Sequence, residues 1–484
     1  MALLDRLLAE GKTGLFIGGE WRAASDGSTM EVIDPATEEA IASVASGTEE
    51  DGLEAVTAAQ GAAGEWADTA PRRRAEVLRR AFDLIVEREK EFAELITREN
   101  GKALGDAIGE VRYGAEFFRW FSEEAVRIRG EVYRSPAGDK RVTVLYQPVG
   151  VSLLVTPWNF PIAMGTRKIG PALAAGCTVV LKPASDTPLV ALALADLLAE
   201  AGCPPGVVNV VPAGRSGPVV AAMMADRRVR KLSFTGSTEV GRLLLANAAQ
   251  RVLNVSMELG GNAPFLVLAD ADIDAAVTGA MQAKMRNAGE ACTAANRFYV
   301  ARPVVDEFAA RLATAMESLQ VGPGMEPGTD VGPLINAASR DKIAEMVEEA
   351  AADGAVVTGG KAPERRGYFY LPTVIKDVAR GAGILGTEIF GPVAPIVAFD
   401  DLDDAVEQAN DTDMGLISYV YTADERVGMG VAERLEAGMV ALNRGLISDP
   451  ATPFGGVKQS GLGREGSHHG MHEFLEPKYI GAPW

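Results

Sequence analysis

The sequence predicts an α/β protein with more than one sheet. The chain has 484 residues, which is too long for a single ordinary core and favours two or three domains. Between residues 150 and 259, apolar strand-like runs alternate with helical segments, the pattern of a parallel doubly wound sheet. A second stretch of this kind begins after residue 258, so we place a domain boundary near Met257.

The composition argues against several classes of protein. A net charge of −19 argues against nucleic acid and against an anionic membrane surface as partners. The apolar runs are far shorter than the ~18 residues that a membrane span needs. Residues 1–14 mix leucines with charged residues, which indicates a short amphipathic helix rather than a secretory signal.

Cysteine and histidine are scarce. The three cysteines, at 177, 203 and 292, form no C-x-x-C pattern, which argues against a disulfide framework or a cysteine-rich zinc site and favours a reducing, cytoplasmic compartment. His468 and His472 share a helical face at i,i+4, but a solvated or packed helix end is favoured over a metal site. We therefore expect no metal.

The first 148 residues are predicted to contain long helices followed by a hairpin. Pro71 begins a helix that runs to about Arg98, with Thr69 as a candidate cap, and more helix is expected over 106–126. The stretch "EVYRSPAGDKRVTVLYQP" indicates two strands around a turn, and "LEPKYIGAP" at the C-terminus indicates a third. Because such strands leave open edges, we assign 128–146 and 460–484 to an oligomerisation segment of a homodimer or homotetramer.

Two segments indicate a nucleotide site. In "SFTGSTEVGR", Gly236 and Gly241 flank the start of a helix that Ser237 or Thr238 can cap, and helix amides there attract phosphate. This spacing lacks the lysine of a P-loop and is equally typical of a turn that is glycine-rich for packing. Lys182 follows a strand end, where α/β proteins bind ligands, although it can also be a solvated strand end.

Three further residues have the chemistry of an acyl-transfer site. Cys292 follows a Gly-Glu-Ala turn among small and polar neighbours rather than lying within an apolar strand. Glu258 ends an apolar strand, where burial should raise its pKa toward that of a general base; a salt-bridged acid is the alternative. Asn159 in "TPWNFP" can donate to an oxyanion or close an Asx turn.

Taken together, these segments resemble the aldehyde dehydrogenase superfamily. The resemblance rests on motifs in family order from about Val32 to the C-terminus: "TPWNFP", "GPALAAGCTVVLKPAS", "LSFTGSTEVG", "MELGG", "GEACTAANR", "EIFGP" and "PFGGVKQSGLGRE". It implies a Rossmann-type cofactor domain at 1–127 and 147–257, a catalytic α/β domain at 258–446 and the small β extension.

The resemblance also implies roles for single residues. Cys292 resembles the nucleophile, Glu258 the base that activates the deacylating water, and Asn159, with the amide of Cys292, the oxyanion hole. Lys168 and Glu465 match positions tied to proton relay. The expected cofactor contacts are Trp158, Lys182, Ser185, Gly236, Ser237, Glu388 and Phe390.

Within the superfamily the sequence is most similar to succinate-semialdehyde dehydrogenases, through "TRKIGPALAAG", "KMRNAGEAC" and "GLIS". The subfamily binds the far carboxylate with residues that match Arg167, Arg286 and Ser448, and paired guanidinium groups suit a carboxylate. Two structural alternatives stay open: Arg286 can offset a helix dipole, and Arg167 can bridge to an acid.

The resemblance leaves other functions open. Dehydrogenases for glutarate semialdehyde or a neutral aliphatic aldehyde are close alternatives, whereas an esterase without redox chemistry would leave the cofactor motifs unused. A non-catalytic protein on this fold would not need Cys292, Glu258 and Asn159 together. Ser185 stands where NAD-restricted members often have glutamate, so we predict NADP as the preferred cofactor, with NAD also used.

Two positions depart from the family pattern. Some subfamily members have a second cysteine where this chain has Ala294, so we predict no local disulfide switch here. Glu290 stands where glutamine is usual. Its carboxylate either raises the pKa of the Cys292 thiol or points away from it.

Overall fold

The computed structural model describes residues 2–483, which form helices and strands arranged around two large sheets. The strands are β1 (Leu15–Ile17), β2 (Glu20–Arg22), β3 (Thr29–Asp34), β4 (Glu39–Ala45), β5 (Glu131–Arg134), β6 (Lys140–Pro148), β7 (Val151–Val155), β8 (Val179–Lys182), β9 (Val208–Val210), β10 (Val229–Thr235), β11 (Asn254–Glu258), β12 (Ala263–Val267), β13 (Ala295–Ala301), β14 (Val356–Thr358), β15 (Thr373–Lys376), β16 (Val393–Phe399), β17 (Met414–Gly415), β18 (Ile417–Tyr421), β19 (Met439–Leu442), β20 (Val457–Lys458), β21 (Gly461–Leu462) and β22 (Leu475–Pro483).

The α-helices are α1 (Leu3–Ala9), α2 (Glu49–Asp68), α3 (Pro71–Glu87), α4 (Glu89–Asn100), α5 (Leu104–Glu124), α6 (Pro161–Ala175), α7 (Leu189–Glu200), α8 (Ser216–Ala225), α9 (Thr238–Ala249), α10 (Ile273–Met285), α11 (Val305–Glu317), α12 (Ala337–Ala352), α13 (Gly383–Gly386), α14 (Leu402–Asn410), α15 (Glu425–Arg434) and α16 (Ser467–His472). Short 3₁₀ turns follow α10 and β13.

The first sheet confirms the predicted doubly wound pattern. Its eight strands lie in the order β2-β1-β9-β8-β7-β10-β11-β21, and the five strands from β9 to β11 are parallel. Helix α6 is buried along its whole length, including Arg167 and Lys168, which interrupt its otherwise apolar and small residues. A helix that is buried on all sides lies between other layers of the fold.

The predicted helix over 71–98 is two helices, because the chain breaks at Arg88 between α3 and α4. Thr69 ends α2 and does not cap α3, whose start has no side-chain cap. The helical periodicity of the apolar residues continues across this break, so it gives no sign of the interruption. Helix α5 and the N-terminal helix α1 form where the sequence predicts helix.

The second sheet has seven strands in the order β14-β15-β16-β13-β12-β18-β19, all parallel except the edge strand β14. It has its own core, in which the rings of Phe265, Phe298, Tyr419 and Tyr421 pack together at centroid distances of 5.0–5.5 Å. This core is separate from the two apolar clusters that contain the strands of the first sheet, and the division of the chain into domains stays a prediction.

The predicted hairpin and the C-terminal strand form one small sheet. Strand β22 pairs antiparallel with β6 along nine residues, and β6 pairs with β5. Within 460–484, however, β21 pairs with β11 of the first sheet, so only the last part of that range belongs to the small sheet. The other proposed domain limits stay a prediction.

The predicted site residues lie at the carboxyl ends of strands in the first sheet and before the amino ends of strands in the second. The carboxyl ends of β7, β8, β10 and β11 lead into the segments that carry Asn159, Lys182, Gly236 and Glu258. In the second sheet, Cys292 lies just before the amino end of β13, and Glu388 lies just before the amino end of β16. Among residues 2–483, no helix is both long and apolar enough to cross a bilayer.

Candidate active site

A turn with strained backbone, residues 287–289, precedes Cys292 and positions it at the cavity between the sheets. Asn287 and Ala288 both have φ of 52° and Gly289 has φ of 77°, so three successive residues adopt left-handed backbone. Non-glycine residues reach this region only at a cost in free energy, and the surrounding contacts must hold them there. The Asp106 carboxylate accepts from the backbone N–H of Asn287 at 2.8 Å. A Cβ on Gly289 would lie 2.2 Å from the carbonyl oxygen of Gly391, so only glycine fits.

The thiol of Cys292 is half-buried and lines the cavity. Burial raises its pKa to about 12, Arg167 acts in the opposite direction, and the carboxylates of Glu258 and Glu388 add to the rise. The backbone N–H of Cys292 has no acceptor within residues 2–483. A backbone N–H without a partner beside a ligand cavity can donate to an acceptor that the ligand supplies, which is the property expected of an oxyanion donor.

Asn159 lies between β7 and α6, next to the nucleophile segment. Its Nδ2 donates one hydrogen bond, at 3.0 Å, to the carbonyl oxygen of Glu290. An amide nitrogen carries two N–H groups, so the second is available to an oxyanion on the cavity side. The side chain is buried and lines the same cavity as Cys292.

Glu258 ends β11 as a buried carboxylate. Neither of its side-chain oxygens has a hydrogen-bond partner within the described residues. Burial raises the pKa of Glu258 well above its usual range, and the charge of Glu465 adds to the rise. The alternative of a salt-bridged acid is therefore not what the structure shows, and the carboxyl group has the elevated pKa expected of a general base.

Glu465 is held between two cations. Its Oε1 accepts from Nζ of Lys168 at 2.6 Å, and its Oε2 lies 2.5 Å from Nε of Arg167 without hydrogen-bond geometry. Lys168 also donates to the hydroxyl of Ser233 at 2.9 Å. Burial alone would raise the pKa of Glu465, but Arg167 and Lys168 outweigh it and hold the pKa below its usual value. Arg167 thus bridges to an acid, the alternative left open above.

The two arginines predicted to bind a carboxylate both interact electrostatically with the thiol of Cys292. The guanidinium of Arg167 lies 4.1 Å from the ring of Phe454, and its Nη2 is buried without a partner. Arg286 stacks on Phe160 at 5.0 Å and donates to the hydroxyl of Thr293 at 3.3 Å. An orphaned guanidinium nitrogen beside the nucleophile is what a bound carboxylate would satisfy.

Tyr113 belongs to this site and was missed in the sequence. Its hydroxyl lies 2.5 Å from Oγ of Ser448, although 335 residues separate them. It packs beside a small apolar cluster that contains Met164, Ala291 and Ala294, next to the cysteine. The available signal was a single phenol among the phenylalanines of α5, which does not by itself distinguish a site residue from core.

A cavity of about 260 Å³ opens beside Cys292, and five predicted cofactor contacts line it: Trp158, Gly236, Ser237, Glu388 and Phe390. The rings of Trp158 and Phe390 meet edge-on at 5.5 Å. Burial raises the pKa of Glu388 to about 7, and its Oε1 accepts from the backbone N–H of Gly261 at 3.0 Å. Lys342, which the sequence did not single out, lines the cavity and donates to the carbonyl oxygen of Glu388.

Several features of the site fit a bound dinucleotide. The Oγ1 of Thr235, in the cavity wall, is buried without a partner. The amine of Lys182 has no hydrogen-bond partner in residues 2–483, and burial lowers its pKa to about 8. A Cβ on Gly236 would lie 2.5 Å from the Phe234 ring, so this glycine is also needed for packing. Ser237, and not Thr238, caps α9 by accepting from the N–H of Val240.

Lys182, the last residue of β8, and the half-buried Ser185, three residues further on, do not line this cavity but lie at the same sheet edge. Glu290 points away from the cysteine, because its carboxylate accepts from the backbone N–H of Ile335 at 3.1 Å. Of the two options for Glu290, the structure therefore shows the one in which its carboxylate points away from the Cys292 thiol.

The sequence and structure match known proteins along nearly the whole chain. A sequence model of the aldehyde dehydrogenase family matches residues 21–480 of this chain. A succinate-semialdehyde dehydrogenase of Paenarthrobacter nicotinovorans is 54% identical over 442 residues, covering 91% of this chain and 98% of the relative. A glutarate-semialdehyde dehydrogenase of Pseudomonas putida is 48% identical, covering 96% of each chain. A crystal structure described as an NADP-dependent enzyme of Escherichia coli has a TM-score of 0.96 at 47% identity and covers 98% of each chain.

Proposed function

Because the chain belongs to the aldehyde dehydrogenase family, we propose that it oxidises succinate semialdehyde to succinate with NADP, through a thioester on Cys292. The observation that carries this proposal is the convergence of Cys292, Asn159 and Glu258 on one region, with the guanidinium groups of Arg167 and Arg286 nearby. A steady-state panel of short semialdehydes and neutral aldehydes, with both nicotinamide cofactors, tests it.

In the first half of the reaction, the thiol of Cys292 gives up its proton to solvent and the thiolate adds to the aldehyde carbon, whose carbonyl oxygen becomes an alkoxide. The second N–H of Asn159 and the free backbone N–H of Cys292 donate to that oxygen. Loss of one such donor typically costs about 10²–10³ in rate. A bound nicotinamide dinucleotide supplies the hydride acceptor, and the cysteine is left as a thioester.

In the second half, Glu258 activates the water that releases the acid. Its unpartnered oxygens leave room for a water, and its raised pKa makes it a proton acceptor near neutral pH. Glu465 and Lys168 offer a path by which the proton leaves Glu258, since all three groups interact within one buried cluster.

The substrate preference is assigned to the arginines and the hydroxyls beyond the nucleophile. A carboxylate at the far end of the aldehyde can accept from Arg286, from the orphaned Nη2 of Arg167 and from the paired hydroxyls of Ser448 and Tyr113. The relatives that act on glutarate semialdehyde keep that longer substrate as a second candidate.

Replacement Arg286→Gln is expected to lower kcat/KM for succinate semialdehyde by about 10–100-fold, because hydrogen bonds to charged groups are worth about 1.5–3 kcal/mol. A neutral aldehyde of similar length should lose less than about threefold. Arg365→Gln, which removes another guanidinium stacked on a phenylalanine, is the matched control. Equal losses with both substrates would refute the carboxylate role.

The cofactor preference is assigned to Ser185 and Lys182. A serine does not repel a 2′-phosphate, and the buried amine of Lys182 attracts it. The replacement Ser185→Glu is expected to lower kcat/KM with NADP by about 10-fold or more while sparing NAD, because a carboxylate would repel the phosphate. A large preference of the unmodified enzyme for NAD would contradict the assignment.

We also propose a homodimer or homotetramer in the cytoplasm. The small β sheet exposes several large apolar side chains: Val132, Tyr133, Leu145, Tyr479 and Ile480. Such a group of exposed apolar residues is typical of a protein–protein contact. Cys177, Cys203 and Cys292 are all free thiols, which suits a reducing compartment.

A further inference from the structure

A buried ion pair lies directly behind the residue assigned to the oxyanion hole. The ammonium of Lys102 donates to Oε2 of Glu110 at 2.6 Å and to the backbone carbonyl oxygen of Asn159, also at 2.6 Å. Both charged side chains have no exposed surface. The ammonium also lies 4.2 Å from the ring of Phe160, the next residue in the chain.

The same pair holds the start of the helix that follows Asn159. The other oxygen of Glu110 accepts from the backbone N–H groups of Ile162 at 3.0 Å and Ala163 at 3.3 Å. These are orphan donors of the first turn of α6, which a buried acceptor must satisfy. The ion pair therefore holds the backbone at Asn159 and again three residues later.

A second set of hydrogen bonds joins Asn159 to the strained turn before the nucleophile. Nδ2 of Asn287 donates to the carbonyl oxygens of Asn159 at 2.9 Å and Glu290 at 3.1 Å. The carbonyl oxygen of Glu290 is also the acceptor for Nδ2 of Asn159. Asp106, four residues after Lys102 in the chain, accepts from the backbone N–H of Asn287. The oxyanion donor and the cysteine turn thus share one closed hydrogen-bond ring.

Stability alone does not account for a buried ion pair here. The desolvation of two charges offsets most of their attraction, and well-packed apolar residues often replace such pairs without loss of stability. An apolar pair cannot supply the second donor to the carbonyl oxygen of Asn159, beside Nδ2 of Asn287, nor the acceptor for the first N–H groups of α6. We propose that Lys102 is a positioning residue for the oxyanion hole, which fixes the backbone at Asn159 and thereby the direction of its side-chain amide. This inference rests on the proposed function, in which that amide contacts the reacting oxygen.

The test compares the rate of acylation in variants, measured as the pre-steady-state burst of NADPH with succinate semialdehyde. Lys102→Met is expected to slow the burst by about 10–100-fold, because a misplacement of about 1 Å can cost 10²-fold. The double variant Lys102→Met/Glu110→Gln removes the buried charge that the single change leaves, and keeps an acceptor for Ile162. This double variant should have the Tm of the unmodified enzyme, and its acylation should be as slow as that of Lys102→Met.

A double-mutant cycle with Asn159→Ala separates positioning from general damage. Since Lys102 acts through Asn159, adding Lys102→Met to Asn159→Ala should slow the burst by less than about threefold. Arg74→Met is the matched control, because Arg74 is another buried cation that donates to backbone carbonyl oxygens, those of Ala174 at the far end of α6 and of Thr69 after α2. It should lower Tm without slowing the burst, and NADPH binding should be unchanged in the Lys102 variants.

The outcomes distinguish this inference from the function on which it rests. A fast burst in Lys102→Met, or in the double variant, overturns the role of Lys102 while a slow Asn159→Ala enzyme leaves the oxyanion hole intact. Additive losses in the cycle also overturn it. An Asn159→Ala enzyme with a full burst rate would instead overturn the assignment of the oxyanion hole.

Discussion

Replacement of Cys292 by serine is expected to lower kcat for aldehyde oxidation by about 10⁴-fold or more, as loss of the nucleophile does in other covalent enzymes. A serine hydroxyl is a far weaker nucleophile than a thiol. Among residues 2–483, no histidine lines the cavity beside Cys292 to activate that hydroxyl. The quantity to measure is the rate of NADPH formation with saturating succinate semialdehyde.

Two controls test whether the lower rate comes from loss of the nucleophile and not from weaker cofactor binding or general damage to the protein. NADPH should bind to the variant with unchanged affinity, because the main cofactor contacts come from other segments. Cys203→Ser changes a thiol that lies outside the site and should leave the rate within about twofold. A Cys292→Ser enzyme that keeps a substantial rate would mean that the oxidation does not pass through the sulfur.

The second large effect is expected from Glu258→Gln. This enzyme should make one equivalent of NADPH per site at a normal rate and then stop, with steady-state turnover reduced by about 10²–10⁴-fold. The reason is that acylation does not require the carboxylate, whereas release of the acid requires a base for the attacking water. Stopped-flow absorbance at the NADPH band separates the burst from the steady state.

The pH dependence follows from the same carboxylate. Burial raises the pKa of Glu258 well above its usual range, so the group is protonated and inactive as a base at low pH, and deacylation should speed up as pH rises through that pKa. Glu290→Gln is the matched control, because this second buried glutamate points toward Ile335 and glutamine keeps that contact. Its pH profile should equal that of the unmodified enzyme, and a shifted profile would restore the option that Glu290 raises the pKa of the thiol.

Much of the fold could be read from local patterns. The alternation of strands and helices after residue 150 predicts parallel pairing, and parallel strands end at one edge of a sheet. That is why segments as distant in sequence as those of Asn159 and Glu258 could be expected near each other. The sequence also predicts three strands of the small sheet, because turn residues and a period of two mark them.

The contacts that complete the site could not be read in this way. The Arg167–Glu465 pair, the Tyr113–Ser448 hydrogen bond and the contact of Lys102 with Asn159 all join residues far apart in the chain. Periodicity fixes which face of an element is buried, but it does not say which polar side chain meets which. The break between α3 and α4 at Arg88 could not be predicted either, because the apolar positions keep their helical spacing across it.

The most direct test of the account is the chemical state of Cys292 during turnover. The Glu258→Gln enzyme is mixed with succinate semialdehyde and NADP, quenched in acid after the burst, digested and analysed by mass spectrometry. The account predicts a succinyl group on the peptide that contains Cys292, in an amount equal to the NADPH formed, and its removal by hydroxylamine. A burst of NADPH with no acyl group on that peptide, or with the group on another residue, would contradict it.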